Sequence, residues 1–534
     1  MRSSALFAIL FLALVLALAS WRFVELDRDP PLISGSAAEW TDPGAYLANA
    51  RTMVHSGEWG EHLQTHALFV APGFAFLATL WGFVFGAHYV SFAALSVVSG
   101  FAAIAATAYV ASHCTVQPGT RWPIVSVCSF ILLSSYTFFC FQRVPKGDME
   151  TLAFSAVTAA VFIALGARAG GNVSRLDIGL AILAGAGMVV TPFVKFYGVL
   201  FSAACAGAWI LSPFCLDAKW RPRWRTLSPW IVAGCVAGAL VWASWLVWLQ
   251  SLGILAGMSS YTTSTVHSVS GSEATFSIHR FLQSNVFYRQ PVETLLAALM
   301  IGRLFFVRHW TWASFFCTVW LLAGFAAIGA MPYQPTRYRL LFLPPIAVLG
   351  SLAWFEFSKP RQSRMTAASL VVRYSIAGWV LLEILTYALE THGLRGQRTL
   401  GIPARGLLFM ILALGAGYIF ERFPPRTLAA LIAVAAVLVA APQWWFGEKE
   451  KSFQLKAIAM DLRSHFPDSD FAGSWGAEVA LWADIPSESR AKTTVLVEEV
   501  ENFDGHPYAR QWKEVRRETV NFMGRQLVIA TRMR

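Results

Sequence analysis

Apolar residues run along this chain in long stretches, separated by short charged ones. The stretches are 5–22, 67–86, 88–112, 122–141, 151–168, 177–212, 228–250, 291–307, 310–331, 338–357, 367–389, 403–420 and 427–444. A helix crossing the hydrocarbon core of a bilayer needs roughly 20 apolar residues, and most of these runs are close to that length. The run 177–212 is too long for one crossing; Thr191-Pro192 and Lys195 interrupt it, so it reads as two short helices with a turn. Residues 5–22 follow Met1-Arg2 like a secretory signal. No clear small-x-small cleavage pattern precedes Arg22, so they read as a retained first span.

The charged loops set the topology. They carry Arg168 with Arg175; Lys219, Arg221, Arg223 and Arg225; Arg303 with Arg308; Lys359, Arg361 and Arg364; and Arg422 with Arg426. Lys and Arg favour the cytoplasmic side. If 67–86 crosses the membrane, all of these loops fall outside; if it lies on the outer interface, all fall inside. Pro72 and Gly73 near its start also suit a broken, non-spanning helix. The expectation is an α-helical polytopic membrane protein with about 13 transmembrane helices. Its N-terminus is cytoplasmic, and its first outer loop spans 23–87.

From about Gln443 the pattern changes. Residues 450–464 have helical spacing, while 471–475, 493–500 and 526–531 read as strands. This predicts a membrane domain over 1–445 and a small extracytoplasmic α/β domain over 446–534. Composition agrees: 56 % of residues are apolar and 14 % charged, against about a quarter charged in soluble domains. The net charge of +11 fits loop bias and contact with anionic lipid. It does not point to nucleic acid, because the basic residues are scattered between apolar runs. The seven cysteines stand singly, with no CxxC pair. No internal repeat or low-complexity tract is present.

Two acidic clusters fall on the outer side in this topology. One is Asp42 in Trp40-Thr41-Asp42-Pro43; the other is Asp148 with Glu150 in Lys146-Gly147-Asp148-Met149-Glu150. Ionisable groups at the mouth of a bundle are candidate sites. Helix capping is the plainer reading, with Asp42 as N-cap before Pro43 and Asp148 starting the next helix.

The order of these segments resembles the membrane glycosyltransferases of the GT-C class, above all the protein O-mannosyltransferase and lipid A aminoarabinose transferase branches. The resemblance is carried by Asp42, Tyr46, Ala50-Arg51 and Gly57-Glu58-Trp59, then Ala71-Pro72-Gly73-Phe74, then Asp148, then Arg337-Tyr338-Arg339-Leu340 running on to Pro344. It covers roughly 5–445. The chain departs from those branches at Asp42-Pro43, where an acidic pair is usual, and at Ala71-Pro72, where Pro-Pro or Lys-Pro is usual.

The resemblance implies a GT-C-type bundle with juxtamembrane helices on the outer face. It implies transfer of a hexose or pentose from a polyprenyl-phosphate carrier to an acceptor lipid, glycan or protein on the outer face. The lack of organelle signals points to the plasma membrane of a bacterium. Asp42 is the expected base for the acceptor hydroxyl. Asp148 is expected to position the acceptor or bind a divalent metal, with Glu150 as its nearest alternative and Tyr46 beside them. Lys195, Arg337 and Lys146 are the expected cations for the leaving phosphate, and Tyr338 is expected to touch the carrier. Each has a plainer reading: Lys195 snorkelling to the interface, Lys146 in a local pair with Asp148, Arg337 and Tyr338 as interfacial anchors. His55, His62 and His66, with Glu58 and Glu61, match no tight zinc spacing. Ser259–Ser272 reads as a mobile outer loop. A transporter or flippase of a lipid-linked saccharide is the alternative, but it would favour matched repeats and midplane charges.

Overall fold

A computed structural model describes residues 16–30, 38–57, 59, 65–115, 121–168, 173–216, 220–255, 290–307, 310–329, 336–357, 452–467, 469–472, 475–484, 493–500, 513–519 and 526–533, with Phe503 and scattered positions between 378 and 445. The runs 367–389, 403–420 and 427–444 lie mostly outside the described residues. So do Lys359, Arg361, Arg364, Arg422, Arg426, Glu58, Glu61, His62 and the 259–272 loop.

Among the described residues, a helical stretch at 16–21 is followed, before the bundle, by α1 (Ala38–Ser56), α2 (Thr65–Val70) and α3 (Pro72–Phe85). At 14 residues, α3 is about 21 Å long, short of a hydrocarbon core of about 30 Å. It buries Phe74, Ala75, Ala78 and Gly82 and exposes Phe76, Leu80, Phe83 and Val84. That two-sidedness suits a helix lying on an interface, as the loop charges predict.

The bundle follows with α4 (Tyr89–Ser112), α5 (Arg121–Ser134), α6 (Tyr136–Gln142), α7 (Asp148–Ala167), α8 (Arg175–Val194), α9 (Val199–Cys215), α10 (Trp220–Ser251), α11 (Pro291–Val307), α12 (Trp312–Gly329), the short α13 (Thr336–Arg339) and α14 (Leu343–Phe357). Among the described residues, five helices are long and apolar enough to cross a membrane, or six if α5 and α6, bent by 65°, form one span. The protein is a multi-pass membrane protein. The Ser135 hydroxyl caps α6 by accepting the Phe138 N–H at 3.2 Å.

The run 177–212 divides into two helices, as expected. Both halves, Arg175–Val194 and Phe196–Cys215, are 20 residues long and can each cross. Pro192 stays inside α8, and the break falls at Lys195. A proline leaves the carbonyl four residues earlier without its helical donor; here that carbonyl, Met188, accepts the Ser202 hydroxyl. With its freed acceptor satisfied, the proline does not have to end the helix.

Helices α8 and α10 pack closely through small residues. A Cβ on Gly185 would overlap the Ile231 carbonyl, and one on Gly234 would overlap the Ile182 carbonyl. In lipid, such close backbone approach is a main source of helix association. Residues from α4, α7, α9, α12 and α14 share one apolar core, including Phe162, Phe201, Phe316 and Trp320.

The C-terminal elements are α15 (Gln454–His465), β1 (Ser469–Ala472), α16 (Gly476–Ala483), β2 (Thr493–Glu499), β3 (Lys513–Thr519) and β4 (Gln526–Met533). The sheet order is β1-β2-β4-β3. Strands β1 and β2 are parallel, so α16 is their crossover; β4 runs antiparallel to both of its neighbours. The strand expected over 471–475 falls at Ser469–Ala472. Strand β3 escapes the apolar pattern because Lys513, Glu514, Arg516, Arg517 and Glu518 fill it, which suits an edge strand. Leu455, Val479, Val495 and Leu527 join Tyr46, Leu47, Phe74 and Phe92 in one core. The sheet unit is therefore packed onto α1, α3 and α4.

Gly234→Val is expected to force α8 and α10 apart, at a cost of about 1–3 kcal/mol. The check is the thermal unfolding midpoint of detergent-purified protein, which should fall, while a Val236→Leu control on the exposed face of α10 should leave it unchanged.

Candidate active site

Helix α1 begins at Ala38 and contains Pro43, so Asp42 lies inside the helix. The capping role expected for Asp42 is therefore corrected: four helical residues precede it. Its Oδ2 accepts a hydrogen bond from Arg337 Nη1 at 3.2 Å and lies 3.7 Å from Lys146 Nζ. Its side chain is 25 % exposed, whereas that of Lys146 is 1 % exposed.

Lys146 and Asp148 flank a tight turn. Gly147 has φ +84° and abuts the Phe74 ring, a backbone conformation that favours glycine. The turn ends at the first residue of α7, Asp148, whose side chain is fully buried. Its Oδ1 accepts the Lys195 ammonium at 2.7 Å, and its Oδ2 has no hydrogen-bond partner among the described residues. Lys195 donates also to the Lys146 carbonyl at 2.7 Å. Two plain readings are thus corrected. Lys195 is 1 % exposed and does not snorkel, and Lys146 pairs with Asp42, leaving Asp148 to Lys195. A lysine at the break between two helices can reach α7 because no helical backbone surrounds it.

Aromatic rings wall this network. The Lys195 ammonium lies 4.4 Å from the Tyr46 ring centroid and 5.8 Å from that of Tyr197. The Tyr197 hydroxyl donates to the Asp148 carbonyl at 3.3 Å, and its ring stacks on Tyr338 at 5.0 Å. The Arg337 guanidinium sits 5.8 Å from the Tyr338 ring. Asp42, Tyr46, Lys146, Asp148, Lys195, Arg337 and Tyr338 therefore meet at one end of the bundle. Arg168 and Arg223 lie at the other end of α7, both on Asp177, at 3.0 and 2.9 Å.

Glu150 is not part of the network. Two residues along a helix turn it about 200° from Asp148, and it accepts the Ser96 hydroxyl of α4 at 2.8 Å. Sequence reasoning misses Tyr197, since an aromatic in an apolar run carries no signal. It also misses Glu478, a lone acid between Ala477 and Val479 that is fully buried on α16.

Among the described residues, the ammonium groups of Lys146 and Lys195 and the guanidinium of Arg337 meet the carboxylates of Asp42 and Asp148 here. Asp42 and Asp148 are already paired with cations, and among the described residues no three His, Cys, Asp or Glu side chains gather as metal ligands. Of the loop histidines only the His55 side chain is described; its Nε2 lies 3.7 Å from Asp484 Oδ1, and burial lowers its pKa.

No protein-family model and no curated protein matches the sequence. Solved structures do. ArnT from Cupriavidus metallidurans bound to undecaprenyl phosphate is 14 % identical, with 98 % of each chain covered and a TM-score of 0.56. The same protein in its apo state gives 14 % identity, 99 % of this chain, 98 % of that chain and 0.56. The archaeal oligosaccharyltransferase AglB from Archaeoglobus fulgidus, in complex with an inhibitory peptide and a dolichol-phosphate, is 12 % identical over 92 % of this chain and 69 % of its own, at a TM-score of 0.46 that bears no weight. The full-length likeness in three dimensions shows that this chain has the fold of ArnT, in agreement with the segment order read from the sequence.

Proposed function

We propose that the protein is an inverting glycosyltransferase that moves a hexose or pentose from a polyprenyl-phosphate carrier to an acceptor hydroxyl on the outer face of the membrane. The observation that carries this reading is the cluster of Asp42 with Lys146, Lys195, Asp148 and Arg337, a cation-rich site with one carboxylate left partly open. The ArnT structure with undecaprenyl phosphate supports the choice of donor class. Residues 1–445 form the transferase unit and 446–534 an outer-face unit. The separation of Asp148 from Arg168 and Arg223 along α7 supports placing the site outside and the basic loops inside.

In this reading the acceptor oxygen attacks the anomeric carbon as Asp42 takes its proton. The bond from that carbon to the phosphate oxygen breaks, and the polyprenyl phosphate departs with one more negative charge. Arg337 and Lys146 flank Asp42 and meet that charge. Asp148 is too buried to touch an acceptor. It holds Lys195 in place, so the cation is preorganised before the donor arrives. Tyr46 and Tyr338 line the approach. Glu150, turned toward Ser96, has no step.

Asp42→Asn is expected to lower transfer of labelled sugar by about 10²–10⁴-fold while carrier binding is kept. Arg337→Ala should instead raise the apparent Kd for the carrier phosphate, read by titration of undecaprenyl phosphate. Normal turnover by Asp42→Asn would remove that residue from the chemistry. Lys195→Met removes the hydrogen-bonded partner of the buried Asp148 carboxylate, so the free energy of unfolding in detergent should fall by about 3–5 kcal/mol. Asp148→Asn in the same protein should recover part of that loss.

A further inference from the structure

The C-terminal unit touches the site helix through a carboxyl that no step above uses. Glu478 lies on α16, the crossover between two parallel strands, and is fully buried. Its Oε2 accepts the backbone N–H of Gly44 at 2.6 Å, and its Oε1 accepts the Trp482 indole N–H at 2.8 Å. Gly44 is two residues past Asp42 on α1. The two helices approach so closely that a Cβ on Gly44 would overlap the backbone of Ala477 and Glu478.

Two further contacts hold the same surfaces together. Arg51, lower on α1, donates Nη2 to the Ala480 carbonyl at 2.8 Å and Nε to the Ala87 carbonyl at 3.2 Å. Trp482 stacks on Tyr89 of α4, with centroids 3.8 Å apart. The unit is anchored separately at α15, where Asp29 accepts the N–H groups of Gln454 and Leu455 at 2.8 and 3.0 Å. Asp29 thus does for α15 what an N-cap side chain does from within a helix. Because this second anchor exists, losing the Glu478 contact should loosen α1 without releasing the whole unit.

We infer that Glu478 is a positioning residue: by holding the Gly44 N–H it fixes the helix that carries Asp42, so the C-terminal unit sets the geometry of transfer without touching substrate. The inference rests on Asp42 being the reacting carboxylate. A base displaced by a fraction of an ångström loses much of its effect, since attack requires near-contact alignment. Glycine at 44 is what allows a carboxyl from another unit to reach the helix backbone at this point.

The charge on Glu478 adds a second readout. Burial pushes its carboxyl up to about 8, against the hydrogen bonds from Gly44 and Trp482; Asp42 pushes the same way and Arg51 opposes. The Tyr89 phenol also faces it. The docked form therefore holds a proton more tightly than a free carboxyl does. Docking is strongest below the ordinary carboxyl range and weakens as pH rises toward about 8.

The experiment compares wild type, Glu478→Ala, Glu478→Gln and Gly44→Ala as full-length proteins in detergent. Initial rates of sugar transfer are measured, together with undecaprenyl phosphate binding and hydrogen exchange of the 42–51 segment. Glu478→Ala and Gly44→Ala should each lower kcat by about tenfold or more, with carrier binding unchanged and faster exchange in that segment. Glu478→Gln keeps one acceptor and should recover part of kcat. Exchange in the wild type, corrected for intrinsic rates, should rise between about pH 5 and 8, and Glu478→Gln should flatten that rise. Folded Glu478→Ala with unchanged kcat, or with unchanged exchange at 42–51, would overturn the inference. If Glu478→Ala does not fold, Gly44→Ala decides by the same two criteria. A wild type without transfer from any polyprenyl-phosphate sugar overturns the transferase reading instead, and the exchange comparison still decides whether Glu478 holds α1.

Discussion

The site depends on one buried ion pair, Lys195 with Asp148, at 2.7 Å and almost wholly out of solvent. Each charge alone would cost several kcal/mol to bury, and only close pairing with further hydrogen bonds offsets that. The Lys146 carbonyl supplies one such bond to the ammonium, and the Tyr46 face supplies a cation–π contact. The pair therefore fixes more than two side chains. It sets the break between α8 and the following helix, the turn that opens α7, and the ring of α1 that lies over them. Lys146 and Asp42 then fall opposite one another because their backbones are already placed.

From that anchor the network opens outward. Asp148 is sealed, Lys146 nearly so, and Asp42 keeps a quarter of its surface. Such a gradient divides the labour between two carboxylates of the same chemistry. The inner one tunes and holds a cation; the outer one can meet a substrate. Cations fixed by the protein before the donor binds need no reorganisation when charge develops on the phosphate.

The bundle was legible because lipid allows few alternatives: long apolar runs must be helices, and charged loops report side. The expectation that α3 lies on an interface came from loop charge and Pro72, and its 14 residues suit that reading. The candidate residues were legible as charges at the ends of apolar runs, and the structure gathers all of them except Glu150. What the sequence could not show was pairing. Lys146 stands two positions from Asp148 yet pairs with Asp42 across the fold, and Lys195 crosses 47 positions to Asp148. The placement of Pro192 inside α8 depended on a hydroxyl from the next helix, and strand β3 on a sheet edge that tolerates charge. Glu478 belonged to the same class of blind spot, because its partner is a backbone N–H 434 positions away.

The most direct measurement of the central claim is a cryo-electron microscopy structure of the protein with undecaprenyl phosphate in a lipid nanodisc. The account predicts the phosphate within hydrogen-bond distance of Arg337 and of Lys146 or Lys195, on the side of Asp42 that faces solvent. A phosphate seated elsewhere, with Asp42, Lys146, Lys195, Asp148 and Arg337 still closed on one another, would contradict it.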